Sequence, residues 1–286
     1  MRSSAVPSRV PAGSTRHRPA GGLLSRVAVA IVGIPLVLGV LWLGGWWLFL
    51  LALVAGLLAL HEFVLLTKTL RPVAVAAYAG LVCILLGIEL SGPVWGSGGL
   101  FVALVLAFLL KGIGDTRGSA TVSVGVTALG AAWIGFGLGY MLLLRDIPQY
   151  GRTLSFAVLI AVFAGDTLAY ITGRALGRHK LAPRISPGKT WEGFVAGAVA
   201  IVFTVFVALY PDRHEFLTGG QILVLGVVLA LAAPAGDLFE SAVKRDMGVK
   251  DSGRLLAGHG GMLDRVDAVL FASVAAFYVV LGFGAA

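Results

Sequence analysis

The sequence predicts an all-α polytopic membrane protein of about nine transmembrane helices, with polar cytoplasmic loops forming the active site. Three observations carry that reading. The chain of 286 residues is 58% hydrophobic and only 13% charged, with a mean hydropathy of +0.94. Apolar runs recur at the roughly 20-residue length that a helix needs to cross about 30 Å of hydrocarbon. The charged residues gather in a few short polar stretches instead of covering a surface. No strand alternation stands out, and irregular backbone cannot face lipid, so helices are the expected spanning form.

The first 26 residues place Arg2, Arg9, Arg16, Arg18 and Arg26 among Ser, Pro and Gly. They read as a disordered basic cytoplasmic tail, 1–26. A cleaved signal peptide is disfavoured, because no small-residue cleavage site follows the first apolar run at Leu43; a signal anchor fits better. Apolar runs then fall at 27–44, 46–66, 73–91, 97–111 and 120–144, giving an N-terminal transmembrane region over 27–152. The run at 97–111 is the shortest. Further runs at 154–175, 193–211, 219–242 and 267–284 belong to a C-terminal region, 153–286, which carries two long polar loops, 176–192 and 243–266. Gly and Pro interrupt several runs, which membrane helices tolerate. Small-residue pairs at Gly135/Gly139 and Gly193/Gly197 are read as close helix packing. The single Cys83 lies within an apolar run, so it is read as a buried hydrophobe and forms no intramolecular disulfide.

A net charge of +8 and a pI near 10.0 raise a nucleic-acid reading. Topology accounts for the charge better. With the N-terminus in the cytoplasm, all of the 22 Lys and Arg residues except Arg145, Arg152 and Arg213 fall on the cytoplasmic side. That is the positive-inside pattern. The expected location is a cell (plasma or inner) membrane, multi-pass, with the N-terminus and both long loops cytoplasmic and no nucleic-acid partner.

Three segments hold polar groups that hydrophobic packing does not explain. In Gly-Asp-Thr-Leu-Ala-Tyr-Ile-Thr-Gly-Arg at 165–174, Asp166 and Tyr170 share one helix face inside an apolar run. Ionisable groups at such depth mark pathways or sites. The second segment, 177–193, combines Arg178, His179, Lys180 and Arg184 with Ser186, Pro187, Gly188, Lys189, Thr190, Trp191 and Glu192. Anionic headgroups would explain its basic residues alone. Gly188-Lys189-Thr190 matches the end of a P-loop, but Pro183 stands where that loop needs glycine, so a Walker-type ATPase is rejected. Another kind of phosphate-binding loop fits, and Thr190 is also placed to cap the helix that follows.

The third segment runs from Pro234 to Asp267. Asp237 and Ser241 share a helix face, Lys244 follows a turn later, and Asp264 and Asp267 share another face. Lys244, Arg245, Lys250, Asp251, His259 and Arg265 complete the charged set, with glycines between them. His259 lacks the Cys or His partners of a zinc site. Carboxylates beside cations suit Mg²⁺ and phosphate oxygens instead. His61-Glu62 and Glu89 are the remaining polar groups in apolar runs, and the spacing leaves open whether Glu62 serves the site or pairs with a basic side chain.

The third segment resembles the signature of the phosphatidate cytidylyltransferase (CDP-diacylglycerol synthase) family. Ser241, Lys244, Arg245, Lys250, Asp251, Gly253, Leu256, His259, Gly260, Gly261, Asp264, Arg265 and Asp267 fit its pattern. Ala257 departs from it where the family usually has proline. The runs 165–174, 180–193 and 236–241 also look like the family, so the resemblance covers roughly the last 120 residues. It implies transfer of the cytidylyl group of CTP to phosphatidic acid with release of pyrophosphate, dependent on Mg²⁺.

The resemblance and the charges together give an expected site. Asp237 and Asp251 would hold the metal, with Asp264 or Asp267 contributing. Lys244, Arg245, Lys250 and Arg265 would neutralise the triphosphate, with His259 in the same catalytic segment. Ser186, Lys189, Thr190 and Ser241 would contact substrate, and Asp166 and Tyr170 would line the cavity. CTP, phosphatidic acid and membrane lipid are the expected partners; oligomeric state stays open, with a homodimer as one option. A CTP-dependent lipid kinase of the polyprenol type is the enzymatic alternative. A cation-coupled transporter is disfavoured, because its acids should spread through the bilayer midplane rather than gather at one side.

Overall fold

The computed structural model describes residues 23–114, 118–249 and 261–285. Among these, helices dominate: α1 (Leu23–Leu43), α2 (Gly45–Leu66), α3 (Ala74–Ser91), α4 (Pro93–Gly114), α5 (Ala120–Asp146), α6 (Gly151–Leu176), α7 (Trp191–Leu209), α8 (Gly219–Asp246) and α9 (Leu263–Gly282). Eight of them, α2 to α9, are long and apolar enough to cross a membrane, and α1 adds an apolar stretch at Ile31–Leu43. The chain is thus an all-α multi-pass membrane protein.

Local chemistry sets the helix ends. Pro93 opens α4 at a position where its missing N–H breaks no intrahelical bond, and the helix extends beyond the apolar run 97–111 at both ends. Ser119 caps α5 through Val122 N, and Thr218 with Gln221 forms a reciprocal capping box on α8. Gly44, at φ 68°, makes the turn between α1 and α2. Arg145 closes that corner by donating from Nε to Leu41 O at 2.8 Å and from Nη2 to Trp42 O at 2.9 Å.

α5 is the centre of the bundle, with most of its apolar residues buried. Its glycines are the reason. Gly135 and Gly139 press against Ile84 and Ile88 of α3, Gly130 against Phe63 of α2, and Gly137 against Leu270 of α9. Small residues let helices approach where lipid offers no hydrophobic drive between them. Ser273 of α9 adds a 2.6 Å hydrogen bond to Gly137 O. The same device joins α6 to α7, where Gly165 and Gly173 face Gly197 and Gly193.

Two expectations need correction. Strands were not foreseen, yet β1 (Lys180–Ala182) and β2 (Ser186–Thr190) pair antiparallel between α6 and α7, with Lys180 opposite Thr190 and Ala182 opposite Ser186. These strands are three and five residues long and interrupted by Pro187, too short for alternation to register. The loop 243–266 is also shorter than expected at both ends: α8 continues to Asp246 and α9 starts at Leu263. Lys244 and Arg245 therefore ride on the last turn of α8, and Asp264 on the first turn of α9, where each charge suits the local helix dipole.

Candidate active site

A cavity of about 690 Å³ opens between the C-terminal half of α6, the hairpin, the start of α7 and the middle of α8. α6 contributes Asp166, Tyr170 and Arg174, successive residues of one helix face. The hairpin contributes Lys180, Ser186 and Lys189, and α8 contributes Asp237, just after Pro234. Gly165, Gly173, Gly193 and Gly197 also line it, where α6 and α7 pack too closely for side chains.

Within the cavity, Lys189 Nζ lies 2.6 Å from Asp237 Oδ2. Ser241 donates to Asp237 Oδ1 at 3.4 Å, as their shared face anticipates. Arg174 Nη1 donates to the Tyr170 hydroxyl at 2.9 Å. Thr190 is buried and spends its hydroxyl accepting Gly193 N at 3.2 Å, so it caps α7 as expected and fixes the hairpin on that helix. Glu192 holds the other end, with His179 Nδ1 2.7 Å from its Oε1. Arg245 ties α8 to the hairpin by donating from Nε to Ile185 O at 3.1 Å.

A second cluster lies at the α8–α9 contact. Lys244 Nζ stands 2.6 Å from Asp264 Oδ1 and 3.2 Å from Glu240 Oε2. Asp264 Oδ2 accepts Gly261 N at 2.9 Å. Asp267 is buried where α9 backbone passes closely over Gly236, and its Oδ1 accepts Ala268 N at 2.8 Å. Arg265 is exposed on the same helix.

Seven of the expected residues thus meet in or beside one cavity: Asp166, Tyr170, Ser186, Lys189, Thr190, Asp237 and Ser241. Lys244, Asp264 and Asp267 form the adjoining cluster, and Arg245 works on the hairpin backbone. Lys250, Asp251 and His259 lie outside the described residues. Three functional candidates were missed. Glu240 is buried against Lys244, and its four-residue spacing from that lysine was the available signal. Arg174 and Lys180 line the cavity but read in the sequence as ordinary flanking charge.

Among the described residues, no group of three or more His, Cys, Asp or Glu side chains is placed to hold a metal ion. Asp237 and Asp264 each face a lysine instead. The donors that do face the cavity, Asp166 and Asp237, are hard oxygens from two helices. That set fits Mg²⁺, which commonly takes one or two carboxylates and completes its shell with water and substrate phosphate.

Comparison with known proteins adds the family context. The sequence model of the cytidylyltransferase family matches residues 24–283. A phosphatidate cytidylyltransferase of Brucella abortus biovar 1 (strain 9-941) is 36% identical over 252 residues, covering 88% of this chain and 90% of its own. The phosphatidate cytidylyltransferase of Mycobacterium bovis (strain ATCC BAA-935 / AF2122/97) is 33% identical over 299 aligned residues, covering 96% of this chain and 95% of its own. That of Bacillus subtilis (strain 168) is 42% identical over 152 residues, covering 52% of this chain and 55% of its own.

Proposed function

This chain belongs to the cytidylyltransferase family, and on that premise we propose that it transfers the cytidylyl group of CTP to phosphatidic acid. The products are CDP-diacylglycerol and pyrophosphate, the former a precursor for phospholipid biosynthesis. The observation that carries the reading is the cavity itself: Lys180, Lys189 and Arg174 face Asp166 and Asp237 in a space open to phosphates at the end of a transmembrane bundle.

The chemistry follows from charge. A phosphatidate phosphate oxygen is already nucleophilic near neutral pH. It attacks the α-phosphorus of CTP, the α–β bridging P–O bond breaks, and pyrophosphate leaves with that electron pair. No strong base is needed. The obstacle is repulsion between two polyanions, so positioning and fixed positive charge supply most of the acceleration. Lys189 reaches the cavity with its ammonium already oriented by Asp237, and Lys180 and Arg174 add charge along the hairpin and α6. Asp237 and Asp166, joined by Asp251, are the proposed Mg²⁺ ligands, and the ion would neutralise triphosphate charge. Lys244, held by Glu240 of its own helix, pairs with Asp264 and so ties α8 to α9.

The cavity is assigned to the cytoplasmic side of the membrane, where CTP is available. The distribution of Lys and Arg supports that orientation, since both polar loops share the side that carries nearly all of them. Phosphatidic acid then reaches the site from the surrounding bilayer.

The test is a product assay on purified protein in lipid–detergent micelles with phosphatidic acid, Mg²⁺ and CTP carrying label in cytidine or in the γ-phosphate. Cytidine label should enter the lipid phase while γ-label leaves as pyrophosphate. Entry of γ-label into lipid would make the protein a kinase and overturn the proposal.

A further inference from the structure

The start of α9 is held from far away in the chain. This helix has Met262 at its N-cap, which offers no capping side chain. The first N–H groups of a helix need acceptors from elsewhere. Met262 N donates to Glu62 Oε1 and Leu263 N to Glu62 Oε2, each at 2.9 Å. Glu62 belongs to α2 and is 1% exposed. A carboxylate buried that deeply is costly unless its oxygens are satisfied, and bonds from N–H to a charged acceptor at a helix N-terminus are among the strong ones.

The same turn carries the acids of the α8–α9 cluster. Gly261 N donates to Asp264, the next carboxylate along, whose other oxygen receives Lys244. Asp267 follows one turn later against Gly236. The Glu62 contact therefore fixes where the acidic face of α9 stands relative to α8 and to Asp237. Its neighbour His61 turns elsewhere, to the Tyr78 hydroxyl at 2.9 Å.

We propose that Glu62 is a positioning residue for the transfer reaction, acting through the N-terminus of α9 and not by touching substrate. The proposal rests on the cytidylyl-transfer reading above. Misplacing groups around the reacting phosphates lowers turnover more than substrate affinity, by roughly 100-fold for an ångström-scale shift.

The experiment compares wild type, Glu62→Ala, Glu62→Gln and, as a control intramembrane acid, Glu89→Gln. Three quantities are read: kcat and KM for CTP, hydrogen–deuterium exchange over 261–266, and melting temperature. Glu62→Ala should lower kcat by roughly 100-fold, leave KM for CTP nearly unchanged and speed exchange over 261–266. Glu62→Gln should recover part of both effects, because its carboxamide oxygen still accepts one N–H. Glu89→Gln should match wild type. Wild-type exchange over 261–266 in the Glu62 variants, or a loss confined to KM, overturns the proposal; if Glu62→Ala does not fold, Glu62→Gln decides by the same readouts. A folded but inactive wild-type protein sinks the reaction assignment, while the exchange comparison still decides whether Glu62 holds α9.

Discussion

Lys244→Met probes the α8–α9 cluster as one electrostatic unit. Methionine keeps the length and apolar stem of lysine and deletes the charge. The lysine side chain is 12% exposed, against 1% for Glu240 and 21% for Asp264, so the pair with Glu240 is the buried one. Removing one partner of a buried pair typically costs about 3–5 kcal/mol, because the other charge is stranded. Asp264 retains the Gly261 N–H, so the group left without its partner is mainly the Glu240 carboxyl, one of whose oxygens already has no hydrogen-bond partner. The lower end applies: about 3 kcal/mol, or roughly a hundredfold in the folded-to-unfolded ratio. Adding Glu240→Gln replaces the unpartnered carboxyl and should return about 1–2 kcal/mol, measured as coupling in a double-mutant cycle. Denaturation in micelles of fixed composition can be followed by tryptophan fluorescence, since Trp133 packs edge-on against Phe239 of α8 with ring centroids 4.7 Å apart. A Lys244→Met protein within about 0.5 kcal/mol of wild type, or a cycle with no coupling, would refute the reasoning and free Lys244 to act chiefly on substrate.

Three further outcomes are expected. Asp237→Asn keeps the side-chain shape but loses the charge facing Lys189, so turnover in the labelled-CTP assay should fall by about 100-fold or more while the melting temperature holds. Gly193→Ala places a Cβ about 2.6 Å from Ala169 O, and this overpacking of the α6–α7 contact should destabilise the protein by about 1–3 kcal/mol in a thermal melt. Removing divalent cations with excess chelator should stop turnover reversibly, and Mg²⁺ should restore it.

Much of this molecule was legible in its sequence because hydrocarbon enforces a simple rule: long apolar runs become helices. The runs ending at Leu66 and Ser91 match α2 and α3 nearly residue for residue. What failed were features that depend on polar ends. Lys244 and Asp264 looked like loop residues, yet their charges suit helix termini and extend both helices. The hairpin was hidden because strands of three and five residues with an internal proline show no period. In the site, Asp166 and Tyr170 were legible as one helix face, and Asp237 and Ser241 as another, because both pairs are local. The pairing of Lys189 with Asp237, and of Glu62 with Met262 and Leu263, was not legible. Each joins positions far apart in the chain, and a single sequence carries no trace of which distant partners meet.

The glycines that line the cavity bear on how an inhibitor could be evaded. A compound resting against them would read main-chain atoms, which no side-chain change replaces. Any substitution at these positions adds bulk. At Gly193 a new Cβ would run into Ala169 O, at Gly197 into Gly165 O, and at Gly173 into the Thr190 hydroxyl that caps α7. Each route to resistance would therefore press apart α6 and α7, so escape there should carry a cost in stability.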